Sequence, residues 1–404
     1  MVFGRSLTES RLINSANYVR TELPTRIAHR IRDMQHLPYA VVKNPHISDV
    51  YNLYYNAFDS FRKIKEINTL EENDEFCKTI SKNLQAHLTV IPKLAMGIIE
   101  CSDLMDAQSL DKFMNTILRS RISRRVIAEQ HLALTETYNS PWFSPGAKLS
   151  EADFIGEVFI KCVAKDVIDR CGLAVQALAR ATYGPEVQIP EIKVEGHLNA
   201  SFPYILSHLE YIVGELLRNS VQAVIERQIR ESERQQKDNP DQSHPAAPLP
   251  PIEVTICESP QLIIIRISDQ GGGVPRDVLP HLWSFSKGPR GQKLLENLGK
   301  VPKMAATMQE LHIHDEIARA DLRTPSSYES APITSSSSLS SLSNRPPNLQ
   351  LGMGLPLSRV YAEYWAGSLE LHSLEGYGVD TFLQISRLGN KNEQLTTRAT
   401  IDAV

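Results

Sequence analysis

Long apolar runs are missing. Nowhere does the chain hold about 18 consecutive apolar residues, the length a membrane-spanning helix needs, so no segment reads as one. Cysteine is scarce: Cys77, Cys101, Cys162, Cys171 and Cys257 are scattered, odd in number and free of any CxxC pair. That argues against a disulfide framework and for a reducing compartment. An excess of positive charge is missing too. With 43 Lys and Arg against 47 Asp and Glu the formal net charge is −4, so no global basic field points to nucleic acid. What is there is an ordinary globular composition, 42% apolar, over 404 residues, which fits two or three domains. The first 32 residues carry Arg5, Arg11, Arg20, Arg26, Arg30 and Arg32 against Glu9 and Glu22. A transit peptide and a basic first helix explain that equally well.

Residues 1–190 read as helical. Phe76, Ile80, Leu84, Leu88, Ile91 and Ala95 recur at helical spacing, as do Ile155, Phe159, Val163, Val167, Cys171, Ala174 and Leu178. Segments over 47–68, 71–100, 109–138 and 150–181 predict an antiparallel helical bundle, the second kinked at Pro92. After Pro190 the pattern changes. Strands are expected over 191–199, 251–268 and 366–387, with a helix over 203–230. Residues 231–251 are charged and then Pro-rich, which reads as a solvated loop. Residues 324–350, rich in Ser and Pro, cannot bury enough apolar surface to offset their ordering entropy and are expected to be disordered.

Three segments carry chemistry. In LEYIVGELLRNSVQAV (209–224) a buried stripe of Leu209, Ile212, Val213, Leu216, Ser220 and Ala223 adjoins a polar face of Glu215, Asn219 and Gln222. Asn219 offers a hard oxygen suited to Mg²⁺, and Glu215 a carboxylate able to take a hydroxyl proton. Alone, the segment reads more readily as a solvated polar stripe on an amphipathic helix. In LIIIRISDQGGGVP (262–275) an apolar strand ends at Asp269 before three glycines. An acid there can accept from an exocyclic amine such as adenine's, while Gly271 and Gly273 let backbone approach a ligand. The plain alternative is an acidic Gly turn. In LGMGLPLSRVYAEYWAGSLELHSLEGYGVDTF (351–382), Gly352 and Gly354 precede an expected helix over 357–365, whose first N–H groups suit phosphate. Thr381 lies on a following strand. A single GxG says little by itself.

The order of these pieces resembles the N, G1, G2 and threonine elements of the GHKL ATPase superfamily. More closely, ELLRNSVQA, SDQGGGVP and GMGLPLSRVYAEYWAGSLELHSLEGYGVDTF are similar to blocks of the mitochondrial 2-oxoacid dehydrogenase kinases, the pyruvate and branched-chain enzymes. ELPTRIAHRIRDMQHLPY (22–39) and SRISRRVIAEQHLAL (120–134) resemble their helical regulatory domain. The resemblance implies α + α/β architecture: a helical bundle at 1–190 that docks lipoyl domains, and a GHKL (Bergerat) ATP-binding sandwich at 191–390. The inserts 231–251 and 304–350 and the chain after Arg387 lie outside the match, and 391–404 reads as a C-terminal tail.

It further implies a protein serine kinase of the mitochondrial matrix. Such a kinase uses ATP and Mg²⁺ to inactivate the decarboxylase component of a 2-oxoacid dehydrogenase complex, and it forms a homodimer. Glu215 would be the general base, with His131 as its partner from the helical domain. Asn219 would hold Mg²⁺ and Asp269 would read adenine, supported by Thr381. Leu351, Gly352, Met353, Gly354 and Leu355 would close on the phosphates, and Arg218 and Gln222 would line the same pocket. Ser286 and Lys287 would begin the lid, by position rather than motif. Without the resemblance, His131 reads as a satisfied core or surface histidine.

The chain departs from the family where Gln222 stands for the usual Arg, Arg218 for Lys and Gln350 for the first Gly of GxGxG. These changes motivate a rival reading, a catalytically weak scaffold that binds lipoyl domains. A histidine kinase, sharing the ATP pocket, would need a phospho-accepting His just before the ATP domain; LALTE after His131 lacks the Pro of an H box. No Asp-Trp pair occurs near the C-terminus, and the N-terminal stretch FGRSLTESRLINSANYVRTELPTRIAHRIR leans toward the branched-chain type.

Overall fold

The computed structural model describes residues 7–140, 154–238, 248–286, 291–301, 303–304 and 350–387. The N-terminal part is helical: α1 (Glu9–Gln35), α2 (Tyr39–Val42), α3 (Pro45–Arg62), α4 (Leu70–Ala86), α5 (Val90–Glu100) and α6 (Ala107–Asn139). Several starts are written in the sequence. Asn44 accepts from the His46 and Ile47 amides and Asp106 from that of Ser109, satisfying donors that a helix start leaves unpaired. Thr69 and Glu72 form a reciprocal capping box ahead of α4. Phe76, Ile80 and Leu84 then form its buried stripe, and the helix packs on α1, α3 and α6.

The helix expected over 71–100 is two helices, α4 and α5, separated by a 3-10 turn at His87–Thr89. Pro92 has no N–H for the Leu88 carbonyl four residues back. That carbonyl accepts instead from the Met304 amide at 3.0 Å, which fastens the bundle to the second half of the chain. In α6, Arg121, Arg124, Arg125 and Glu129 are each 5% exposed or less. Arg125 pairs with Glu129 at 2.6 Å and Arg124 reaches the Tyr54 hydroxyl at 2.7 Å, the kind of partner a buried charge requires. His87 stacks on Tyr54, and burial, with Arg124 nearby, pushes its imidazole down to about 3.

The expected helix over 150–181 starts only at Ala164. Before it come β1 (Phe154–Ile155) and β2 (Val158–Val163), joined by a turn in which Gly156 adopts φ +57. Apolar residues four apart fit a strand as well as a helix. The deciding partner is β4 (Ser201–Ile205), which pairs antiparallel with β2 from beyond α7 (Ala164–Tyr183). β4 also takes the first residues of the helix expected over 203–230. The helix itself, α8 (Leu206–Asp238), runs on into the segment read as a loop. Residues 231–238 are good helix formers, and an Arg227–Glu231 pair at 2.7 Å supports the extension. Within 231–251 only residues after 247 are described as irregular chain.

A five-stranded sheet has the order β3 (Ile192–Gly196), β5 (Ile252–Glu258), β6 (Leu262–Asp269), β8 (Gly378–Ser386), β7 (Ser368–Leu374). β3 runs parallel to β5, and the other neighbours are antiparallel. Burial alternates along β5 and β6, with Ile252, Val254, Ile256, Ile263, Ile265 and Ile267 inward. Against the sheet lie α7, α8 and α10 (Gly354–Tyr364), while α9 (Gly291–Gly299) packs on α5. The protein is therefore mixed, a helical N-terminal region and a sheet region, and one buried apolar cluster runs through both. The segment expected to be disordered, 324–350, lies outside the described residues except for Gln350.

Candidate active site

The apolar stripe of α8 presses Leu209, Ile212, Val213 and Leu216 into the core, and Glu215 goes with them at 1% exposure. A carboxylate buried that deeply needs a partner. Arg218, one turn on, supplies it, with Nη2 at 2.5 Å from Oε2. The same Oε2 meets the start of α10. A Cβ built on Gly354 would lie 2.2 Å from it, so any side chain there would displace the Glu215 carboxylate from its place under the GxG turn. Around that turn Leu351 and Met353 are buried, Leu355 is half-buried and Gly352 takes φ +67. Asn219 is half-buried, and its carboxamide makes no hydrogen bond among the described residues.

One residue further along α8, the Ser220 hydroxyl donates to Asp269 Oδ2 at 2.8 Å. Asp269 closes β6, and its Oδ1 accepts from the Gly271 amide at 2.9 Å. Burial pushes its carboxyl above the usual range, and these two donors act against that. At Gly271 a Cβ would fall 2.4 Å from the Ala223 Cβ, so glycine lets the turn lie directly on α8. The turn is held from outside as well. Arg227 donates to the Gln270 and Tyr377 carbonyls, and Gly272 donates to Tyr377. Gly273 follows at φ +76. Thr381 is 4% exposed on β8, opposite Ile267 of β6.

The structure thus brings Glu215, Arg218 and Gly354 together, and Asp269, Gly271 and Ser220 together, with α8 common to both groups. Ser286 is buried against Ser284, their hydroxyls 2.9 Å apart, and the Phe285 amide between them donates to Asp111 of α6 at 2.7 Å. Lys287 lies outside the described residues.

Among known proteins, the mitochondrial pyruvate dehydrogenase (acetyl-transferring) kinase 2 of Saccharomyces cerevisiae is 34% identical over 413 residues, covering 96% of this chain and 80% of the relative. This chain belongs to the mitochondrial pyruvate dehydrogenase kinase family. It is therefore a protein kinase. The mitochondrial pyruvate dehydrogenase kinase of Arabidopsis thaliana is 28% identical, covering 98% of this chain and 90% of its own length. Human isozyme 4 is 25% identical, covering 93% and 77%. The family profile described as mitochondrial branched-chain alpha-ketoacid dehydrogenase kinase matches residues 1–159.

Two of the expected site residues have contacts of their own inside this pyruvate dehydrogenase kinase relative. His131 is 1% exposed inside the bundle, its Nδ1 3.1 Å from Ser15 Oγ of α1 and its Nε2 3.0 Å from Asn73 Oδ1 of α4. Both ring nitrogens are engaged there, and burial pushes the imidazole down to about 4. Gln222 turns to Glu226 at 2.6 Å, in a crevice it shares with Arg218 and with Val175, Leu178 and Tyr183 of α7. The sequence reading missed Ser220 as a polar partner and Asp111 as an anchor. Ser220 left a trace, a hydroxyl within an apolar stripe; Asp111 left none.

Proposed function

We propose that this kinase uses ATP to phosphorylate a serine of the decarboxylase component of the pyruvate dehydrogenase complex, inactivating it in the mitochondrial matrix. The observation that carries the reading is the deeply buried Glu215 carboxylate lying directly beneath Gly354, where the GxG turn opens α10. Burying a carboxylate that deeply is costly, and beneath a helix start suited to phosphate it is placed to take the proton of a serine hydroxyl.

The roles follow from the residues. Glu215 accepts the proton of the serine hydroxyl, and Arg218 holds its carboxylate in one orientation. The free backbone N–H groups from Gly352 to Leu355 meet phosphate oxygens at the start of α10. Asp269 accepts from the adenine amine, and Thr381 supports that contact from β8. Asn219 fits Mg²⁺, since its half-buried oxygen is claimed by no described residue. When bound there, Mg²⁺ supplies charge neutralisation at the transferred phosphate. Ser286 and Lys287 open the lid. For His131 we propose a structural role, since both ring nitrogens are engaged within the bundle.

In this reading residues 191–390 form a GHKL-type ATP-binding domain and residues 1–190 a bundle that docks lipoyl domains, raising the local concentration of substrate. The chain works as a homodimer. The pyruvate complex is preferred because relatives aligned over nearly the whole chain bear that name, whereas the branched-chain name attaches to residues 1–159. The test is transfer of radiolabelled phosphate to purified pyruvate and branched-chain complexes, with Glu215→Gln as control. Serine label on the pyruvate complex, lost by at least about a hundredfold in the control, is expected. Label only on the branched-chain complex reverses the substrate assignment. ATP binding without label on either supports the scaffold reading.

A further inference from the structure

Ser220 is a hydroxyl on the buried side of α8, 5% exposed. A serine inside a helix ordinarily bonds back to a carbonyl of the preceding turn. Here its proton goes across to the sheet, to Asp269 Oδ2 at 2.8 Å. The other oxygen, Oδ1, is taken by the Gly271 amide at 2.9 Å. The two donors come from different elements, one from α8 and one from the turn after β6. Bonds to separate oxygens from separate elements hold the last side-chain torsion of the carboxylate more firmly than the backbone donors do alone. The Val379 amide of β8 also favours the charged carboxylate, and since an ionised carboxylate has about four acceptor positions, room is left for a ligand. The contact of Gly271 with Ala223 sets the spacing, because any side chain at 271 would push the turn away from α8 and out of reach of Ser220.

We propose that Ser220 is a positioning residue for nucleobase selection. Its hydroxyl fixes the Asp269 carboxylate so that a purine bearing an exocyclic amine is preferred over one bearing a carbonyl at the same place. The inference rests on the reading of Asp269 as the adenine contact. It also gives α8 a third task, since the helix that carries Glu215 and Asn219 then orients the base-reading group as well. An amine donates to the oriented carboxylate. A carbonyl in its place points a lone pair at a negative charge and is rejected.

The experiment measures calorimetric binding of ATP and of inosine triphosphate, each with Mg²⁺, to the full chain and to Ser220→Ala, Ser220→Thr and Asp269→Asn. The parent is expected to prefer ATP by tenfold or more, as expected for a hydrogen bond to a charged group. Ser220→Ala should weaken ATP about tenfold while inosine triphosphate stays within about twofold, and Ser220→Thr should restore the preference. Unchanged inosine triphosphate binding also shows that the variant is folded. An unaltered preference in Ser220→Ala, or equal weakening of both nucleotides, overturns the role of Ser220 alone. A parent that does not discriminate, matched by Asp269→Asn, overturns the adenine reading of Asp269 beneath it.

Discussion

Replacing His131 by Gln tests whether this histidine serves the fold or the chemistry. In the folded protein its imidazole titrates at about 4 instead of 6.5, because burial penalises the charged form. The unfolded chain therefore takes up a proton below pH 6.5 that the folded chain refuses until about 4. The native state draws stability from the neutral ring above pH 6.5, and that stability is lost as the pH falls through this window. The whole gap is worth about 3 kcal/mol, and about 2 kcal/mol of it falls between pH 7 and pH 5.

The assay is urea unfolding of the parent and of His131→Gln at both pH values, comparing differences so that the other histidines cancel. The parent should lose about 2 kcal/mol more than the variant on acidification. At pH 7 the variant should be less stable because the bonds to Ser15 and Asn73 are broken, yet its residual folded fraction should transfer phosphate at a near-normal rate. Parallel pH dependences would refute the burial argument. Loss of transfer in a protein that is still folded and still binds ATP would return His131 to the chemistry.

Two further outcomes follow from contacts at the site. Gly354→Ala drives a methyl group to 2.2 Å from Glu215 Oε2, so the carboxylate has to swing off its place beside Arg218. The substitution should cost about 1–3 kcal/mol in thermal unfolding and lower kcat far more than it raises the KM for ATP; a parent-like kcat would mean that the carboxylate moves freely. Asp111→Ala removes the acceptor of the Phe285 amide, so exchange of the amides at 284–286 should speed up by at least tenfold with the bundle amides unchanged. Unchanged exchange would mean that this bond does not hold the segment.

Much of this protein was decided locally. The caps at Asn44, Thr69 and Asp106, the stripe of α8 and the alternation in β5 and β6 are properties of residues a few places apart, so periodicity and capping chemistry expose them. The order of Glu215, Asn219, Asp269, the glycines and Thr381 is legible for the same reason, and the longer blocks around these residues carry the resemblance to the kinase family. What the sequence could not carry was the choice between partners far apart in the chain. Residues 154–163 became strands because β4 was there to pair with β2. The Leu88 carbonyl, released by Pro92, found Met304. His131 turned toward Ser15 and Asn73, and Ser220 reached Asp269, because tertiary packing set those side chains within hydrogen-bond distance. A buried polar group must find a partner, but nothing in its own sequence neighbourhood says which one, since the neighbours in space are chosen by how helices and sheet pack.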